Sequence, residues 1–557
     1  MKRILTLTFI LLVSFTGIYA QKNEGDKAYN YLRGKECLQN DNIKDAMGYF
    51  AKECETCPKN AYGFYGVGYC LATMQYYEDA LSYIEKATQL FSKKDKWIGY
   101  KEQGFILYSM GKPEAAHAAY TAAIKAAPKN AACYKSRGEC YFLENKFTMA
   151  KLDFHKAIEL EPTNWENYSI LGEISIYESD FDKAEEFFLQ AVRFSPTSNE
   201  PFLYLSILEK EKKNYDTALD FLTYALQMDL NDNAAGVLGQ LTTDTPSLVI
   251  QKLDAQAVKY PKVATWPFTK GLAYEVVHQY HKAAKCYDKA FSIASDQSVA
   301  LYYEISALTN AGEYAQALEK MEQFNQQFPE YRDKTTFDKI GLLFYNRQNA
   351  EALTELDTAL TTYADTRGIL QFKAKVLRCI RQYEQAMETW QTLTTDYPKV
   401  SIAYFETGEY NLWKGDTAAA REWFQKALAV EDANRNYDAA SKQSFEEWQH
   451  EAEYNDCGPR PYILSLFYLG ETDRAEAELA KMEDLQEQEP NRMELARIHA
   501  VMGHTEKCIA SLQKALEEGI FWDGGWIWPE RDPDFDSVRA LPAFQQLMQE
   551  FENQRSK

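Results

Sequence analysis

Small and apolar residues recur along this chain with a period of about 34 residues. In the first unit, Ala46 lies twelve residues after Gly34, and the bulky apolar residue Phe50 lies four positions further on. Later units repeat this order. Because four positions make about one helical turn, the alanine and its apolar partner share one helix face. The glycines themselves follow one another at spacings of 34, 36, 34 and 34 residues: Gly34, Gly68, Gly104, Gly138 and Gly172.

Each period predicts two helices joined by a tight turn. The glycine falls on the first helix and the alanine on the second, where neighbouring helices approach too closely for a larger side chain. Proline cannot continue a helix, and one lies 24 residues after the glycine in four units: Pro58, Pro128, Pro162 and Pro196. A single pair cannot bury its apolar face, whereas stacked pairs form a continuous core. The pattern therefore predicts an all-α, right-handed α-solenoid.

These units resemble the tetratricopeptide repeat, a helix–turn–helix motif of about 34 residues. Alanines keep the period beyond Gly172, and degenerate units follow at Ala475 and Cys508; the regular positions are Ala218, Ala283, Ala317, Ala352, Ala386 and Ala420. The resemblance implies about 13–14 repeats and a ligand bound on the concave face, which the first helix of each pair lines.

Two breaks in the rhythm divide the array. Ala218 and Ala283 are 65 residues apart, three short of two periods, and Ala420 and Ala475 are 55 apart, one period and 21 more. We expect an irregular loop over 242–246 and an inserted segment after residue 432. The predicted segments are a signal peptide (1–20), an N-terminal array (21–232), a degenerate repeat (233–263), a second array (264–432), an acidic insertion (433–458), degenerate repeats (459–518) and a capping tail (519–557).

The first 20 residues have the features of a secretory signal peptide. Lys2 and Arg3 precede an apolar stretch that is short for a membrane span, and Ala20 is a small residue at the expected cleavage site before Gln21. A retained anchor is the alternative. The leader resembles those of exported proteins of Bacteroidetes-type bacteria, so we expect a periplasmic, secreted or outer-membrane-associated protein. No later segment has the pattern of a transmembrane helix.

The formal net charge of the chain is −21, and loss of residues 1–20 with Lys2 and Arg3 would give −21 − 2 = −23. A strongly acidic surface disfavours nucleic acid and anionic membranes as partners. The expected partner is a protein or peptide, including a component of an envelope complex.

The sequence offers no Gly-rich phosphate loop, nucleophile elbow or HExxH motif, so we expect no enzyme activity, no cofactor and no metal. His278 and His281 are three residues apart, and His499 and His504 flank Gly503. Either pair could share a metal ion, but neither has an evident third ligand. We therefore interpret these histidines as solvated turn residues.

Cys54 and Cys57 form a C-x-x-C motif. A redox function requires such a pair at the N-terminal end of a helix, whereas this pair closes the second helix of the first repeat. Ten cysteines in an exported chain permit disulfides, so a bridge among Cys37, Cys54, Cys57 and Cys70 and buried free thiols both remain open. A thiol- or disulfide-handling protein is an alternative function.

Aromatic residues follow the concave face that the resemblance implies. Tyrosine suits a wet recognition surface because its ring is large, rigid and able to hydrogen-bond. A register error of one position would make some of them packing residues instead. The predicted groove residues are Tyr31, Tyr62, Tyr65, Tyr69, Phe105, Tyr108, Phe142 and Tyr177, with a second group at Phe268, Tyr302, Phe337, Phe344, Tyr345, Phe405 and Trp413.

The predicted function is that of an exported, non-catalytic scaffold or adaptor that binds a protein or peptide in this groove. A glycan-handling accessory protein is a further alternative, because the tail carries Trp522, Trp526 and Trp528. Some relatives grip a C-terminal carboxylate with Lys and Asn on adjacent first helices. Here Phe105 and Glu139 occupy the Asn positions, so this clamp is absent.

The tail contains the sequence DPDFD from Asp532 to Asp536, followed by Arg539 and Phe544. It resembles a segment that follows the repeats in many bacterial proteins. Because the last repeat of a solenoid otherwise exposes its core, we expect the tail to cover it.

Overall fold

The computed structural model describes residues 29–40, 42–434, 459–485, 492–517 and 529–555. Within these ranges the chain forms 29 α-helices and two short 3-10 helices, and no strand. The prediction of an all-α solenoid of helix pairs is confirmed. The expected signal peptide, the acidic residues 435–458 and the three tail tryptophans lie outside the described residues.

The chain divides into two units, residues 1–252 and 253–557, and the boundary falls within one helix. Unit 1 holds seven consecutive helix pairs, the last of which ends beyond the boundary. They are α1 (Tyr29–Gln39), α2 (Ile43–Thr56), α3 (Ala61–Thr73), α4 (Tyr77–Leu90), α5 (Lys96–Ser109), α6 (Pro113–Ala126), α7 (Ala131–Leu143), α8 (Phe147–Leu160), α9 (Trp165–Tyr177), α10 (Phe181–Phe194), α11 (Glu200–Glu211), α12 (Tyr215–Met228), α13 (Asp232–Asp244) and α14 (Pro246–Lys259).

Unit 2 continues the pairing, and turns with the 3-10 helix Pro533–Phe535 precede its last helix. Its helices are α15 (Thr265–Val276), α16 (Tyr280–Ile293), α17 (Ser298–Asn310), α18 (Tyr314–Gln327), α19 (Arg332–Tyr345), α20 (Asn349–Thr362), α21 (Arg367–Cys379), α22 (Tyr383–Asp396), α23 (Ser401–Trp413), α24 (Thr417–Asn434), α25 (Pro459–Tyr468), α26 (Thr472–Leu485), α27 (Arg492–Met502), α28 (Thr505–Glu517) and α29 (Pro542–Arg555).

Within a pair, the repeat glycine lies directly against the bulky residue that follows it by sixteen positions. A Cβ atom at Gly172 would lie 2.4 Å from the ring of Phe188, and one at Gly408 would lie 2.5 Å from the ring of Phe424. Both rings are fully buried or nearly so. The 34-residue pattern therefore records a helix–helix contact that any side chain at the glycine would obstruct.

The turn inside most pairs is three residues long and its middle residue has a left-handed backbone conformation. This residue is glycine in some pairs, as at Gly111 and Gly312, but other residues also occupy it: φ is 65° at Gln75, 60° at Ser179 and 63° at Lys213. Such a conformation is unfavourable for a side chain. It persists because the packed helices on both sides fix the direction of the chain.

The irregular loop expected over 242–246 is wrong. Helix α13 continues to Asp244 and α14 begins at Pro246, so Thr245 alone separates them. Proline at the first position of a helix is favourable because its missing N–H has no helical acceptor there. The shortfall in the period thus comes mainly from a shorter turn, and the helix pair is retained.

Across the described ranges, each helix is either too short or too polar to cross a membrane.

Candidate functional site

The odd-numbered helices of unit 1 bring one row of their side chains together, and we term this row the first-helix face. Ring contacts connect successive helices along it. The ring centroids of Tyr31 on α1 and Tyr62 on α3 are 5.6 Å apart, and those of Phe142 on α7 and Tyr177 on α9 are 6.1 Å apart. These contacts join two pairs of the predicted groove residues, Tyr31 with Tyr62 and Phe142 with Tyr177.

Polar contacts join the same helices. The Tyr65 hydroxyl on α3 donates a hydrogen bond of 3.2 Å to the Glu102 carboxylate on α5. Lys135 on α7 forms an ion pair with Glu166 on α9 and lies 3.6 Å from Glu139 of its own helix. The first-helix face is thus a mixed surface of aromatic rings and charged groups.

The eight predicted groove residues differ in exposure. Tyr65 is 2% exposed and Phe142 is 9% exposed, so both are packing residues of the core. The ring of Tyr65 packs against Phe91, which follows α4, at a centroid distance of 6.2 Å. Tyr177 is 50% exposed, and the remaining five are partly exposed: Tyr31, Tyr62, Tyr69, Phe105 and Tyr108.

Two carboxylates of this face meet tyrosine hydroxyls rather than ammonium or guanidinium groups of the described residues. Burial raises the pKa of Glu102, and the charge of Lys101 and the Tyr65 hydroxyl oppose that rise. Burial also raises the pKa of Glu173 to about 7, opposed by a hydrogen bond from Tyr204 on α11. A buried carboxylate of this kind favours binding of a cation, because the positive charge replaces the hydration that the carboxylate lost on burial.

In unit 2, residues 531–534 of the chain itself contact the helices α19, α21 and α25. The Arg531 guanidinium lies 3.9 Å over the Phe344 ring, and its Nη1 donates a 2.6 Å hydrogen bond to the Phe344 carbonyl. Phe344 and Phe405 of the second predicted group are fully buried. The sequence pattern did not predict this arrangement, because the contacting residues are more than 150 positions apart.

An ionic cluster holds this segment in place. Asp534 accepts hydrogen bonds of 2.5 Å from Arg378 and 3.0 Å from Arg460, and Asp532 accepts one of 2.7 Å from Arg497. Burial would raise the pKa of Asp534, but the two arginines prevail and hold it below its ordinary value. Both carboxylates are almost inaccessible to solvent, so this cluster is part of the folded core of unit 2.

The chain matches the family model of the tetratricopeptide repeat over residues 102–150 and 373–443. The first range contains Gly104 and the second contains Gly408, each pressed against the ring sixteen residues later in a packed helix pair. The chain contains tetratricopeptide repeats.

Several solved structures resemble parts of this tetratricopeptide repeat protein. MamA from Desulfovibrio magneticus RS-1 is 21% identical over 31% of this chain and 98% of its own, with a TM-score of 0.27. PilW, a type IV pilus biogenesis factor, is 14% identical over 39% of this chain and 100% of its own, with a TM-score of 0.34. YrrB, described as a TPR protein with an unusual peptide-binding site, is 19% identical over 31% of this chain and 87% of its own, with a TM-score of 0.24. No curated protein matches the chain.

The cysteines near the start of the tetratricopeptide repeat array show no feature of a redox centre. Cys37, Cys54 and Cys70 are free thiols, so the disulfide left open above is not formed by any of these three. Burial raises the pKa of Cys54 to about 11 and that of Cys70 to about 12, which leaves both thiols protonated at neutral pH. Cys57 is the C-cap of α2, at the helix end that does not favour a thiolate.

The turn histidines of the tetratricopeptide repeat protein differ from one another. His278 Nδ1 lies 3.0 Å from the Tyr280 hydroxyl. His499 is buried, not solvated as expected, and lies with its Nδ1 3.3 Å from Nδ1 of His504 and its Nε2 3.3 Å from Glu483. Burial lowers the pKa of His499 to about 4, so the imidazole is neutral and acts as a packed polar group of unit 2.

Proposed function

We propose that this tetratricopeptide repeat protein is a non-catalytic scaffold whose first-helix face in unit 1 binds a basic segment of a partner protein. The observation that carries the proposal is the buried Glu102 carboxylate, which meets the Tyr65 hydroxyl and lies beside the accessible ring of Tyr69. A lysine or arginine side chain suits such a place. It supplies a positive charge in addition to that of Lys101 and can lie over a tyrosine ring.

The net charge of the chain supports the same class of partner. The charges of helices α5, α7 and α9 themselves balance, with four carboxylates from Glu102, Glu139, Glu166 and Glu173 and four cationic groups from Lys96, Lys101, Lys135 and Arg137. The chain as a whole has a net charge of −21, so its long-range field attracts basic segments and repels acidic ones.

Binding of a fluorescent lysine-rich peptide, followed by anisotropy, tests this proposal. We expect Glu102→Gln to weaken binding about tenfold or more, since a hydrogen bond to a charged group contributes about 1.5–3 kcal/mol. Glutamine retains an acceptor for the Tyr65 hydroxyl and so preserves the fold. Tyr69→Leu should also weaken binding, because it removes the ring beside the carboxylate.

The matched controls lie on second helices of the same unit. The side chain of Glu159 on α8 is 67% exposed, and Tyr224 on α12 is 58% exposed. Glu159→Gln and Tyr224→Leu should leave the affinity unchanged. Tighter binding of a peptide in which each lysine is replaced by glutamate would contradict the proposal, as would equal losses in the control variants.

We also propose that the protein is exported and that its leader is removed. The support is the order of Lys2 and Arg3, a short apolar stretch and Ala20. Expression in a Gram-negative host, followed by N-terminal sequencing of the protein from the periplasmic fraction, should give a chain that begins at Gln21. Recovery of the chain from the cytoplasm with residues 2–20 intact would contradict export.

A further inference from the structure

Three side chains with metal-binding atoms meet between the third and fourth helix pairs of unit 1. His117 lies on α6, and Cys140 and Glu144 lie on and just after α7. His117 Nε2 is 2.6 Å from a Glu144 carboxylate oxygen, and Cys140 Sγ is 3.4 Å from that oxygen and 3.9 Å from His117 Nε2. The donor atoms all lie within 4.8 Å of one another.

We propose that His117, Cys140 and Glu144 form a binding site for a divalent transition metal of the zinc class. A thiolate, an imidazole and a carboxylate together favour zinc or cobalt over magnesium or calcium, which require oxygen ligands. Tetrahedral ligands about 2.0–2.3 Å from a zinc ion lie roughly 3.3–3.6 Å from each other. The three separations bracket this range, so small side-chain rotations would admit the ion.

The surrounding residues hold the three ligands in position. Cys140 and Glu144 are four residues apart and therefore project from the same side of the chain. The His117 ring stacks on Tyr141 at a centroid distance of 4.2 Å and an interplanar angle of 21°. Lys146 binds the second carboxylate oxygen of Glu144, which leaves the first one directed at His117.

Two of the three ligands are partly accessible to solvent. Cys140 is buried, whereas the side chains of His117 and Glu144 are each 16% exposed. Tyr108 of the first-helix face packs against the core group that contains Cys140. A three-ligand site of this kind leaves one position for a water molecule or an incoming group, as in catalytic rather than structural zinc sites.

Cobalt(II) titration of the full chain under reducing conditions tests the proposal. We expect one cobalt ion per chain, visible as a thiolate-to-cobalt charge-transfer absorption together with the strong d–d bands of a four-coordinate ion, and displaced by zinc. Cys140→Ser should remove the charge-transfer absorption, and His117→Gln should remove the d–d bands of the four-coordinate ion. Glu144→Gln, which keeps the shape of the side chain, should weaken cobalt binding more than about tenfold.

Cys133 provides the matched control, because it is a buried cysteine on the same helix α7. Cys133→Ser should retain both spectral features, with circular dichroism confirming that each variant is folded. Lack of a thiolate band in the unmodified chain would overturn the proposal. A band that survives in folded Cys140→Ser, or a Glu144→Gln variant with unchanged affinity, would overturn it as well.

Discussion

At Gly172 the lack of a side chain lets α9 lie directly on the ring of Phe188. An added methyl group would approach ring atoms to 2.4 and 2.7 Å, and the ring cannot withdraw because it is completely buried. Gly48 on α2 offers the opposite environment, since an added Cβ there would meet no atom within 4 Å. Substitution of these two glycines therefore distinguishes the steric effect of an added side chain from the effect of alanine on helix propensity.

We therefore expect Gly172→Ala to destabilise unit 1 by about 1–3 kcal/mol, the usual effect of overpacking a core. Gly48→Ala should be neutral or stabilise by up to about 1 kcal/mol, since alanine favours helix over glycine. Urea unfolding followed by circular dichroism measures both. Equal stability of the two variants would show that the glycine contact does not determine the repeat spacing.

The sequence predicted Gly172 and Phe188 because their spacing recurs in unit after unit. It did not separate Tyr65 from Tyr69, because residues four positions apart share a helix face and only contacts with other elements bury one of the two. The group of His117, Cys140 and Glu144 had no sequence signal either. Its members belong to different repeats, and their separation of 23 and 27 positions matches no metal-binding motif.

At the level of elements, helix pairs tolerate changes in their connections better than the sequence rhythm suggests. Between Ala218 and Ala283 the chain is three residues short of two repeat periods. Both helices α13 and α14 are nevertheless present, and the turn between them consists of Thr245 alone. Most other turns place a residue such as Gln75 or Lys213 in the left-handed region without glycine. Such turns have no local signal, because packing between the two helices fixes their conformation.

Across the whole molecule, the ionic cluster of unit 2 connects residues that lie far apart in the chain. Asp534 bonds with Arg378 and Arg460 in a buried setting, whereas Asp536 bonds with Arg381 where both side chains are about half exposed. Sequence analysis placed the tail after the last repeat. It could not show that residues 529–539 contact first helices, because no periodic pattern encodes contacts over such separations.

We expect Asp534→Asn to destabilise unit 2 by about 1.5–3 kcal/mol, because it weakens buried charged hydrogen bonds to Arg378 and Arg460. The two guanidinium groups keep Glu406 and Glu409 as further partners. Asp536→Asn removes an exposed ion pair in the same segment and should change stability by about 0–1 kcal/mol. Hydrogen exchange of the full chain, read separately for helices of each unit, distinguishes local from general effects. Equal exchange rates in the two variants would contradict the assigned importance of the buried cluster.

The position of this segment also affects how the protein is made. Synthesis proceeds from the N terminus, so Arg378, Arg460 and Arg497 leave the ribosome before Asp532 and Asp534 exist. Until then only Glu406, Glu409 and Glu494 can pair with them. The helix pairs of unit 1 contact mainly their neighbours and can assemble while the later part of the chain is still being translated. Unit 2 can complete its core only after Phe551 has been added, because Phe544 and Phe551 belong to that core, and the apolar side chains that they contact stay uncovered until then.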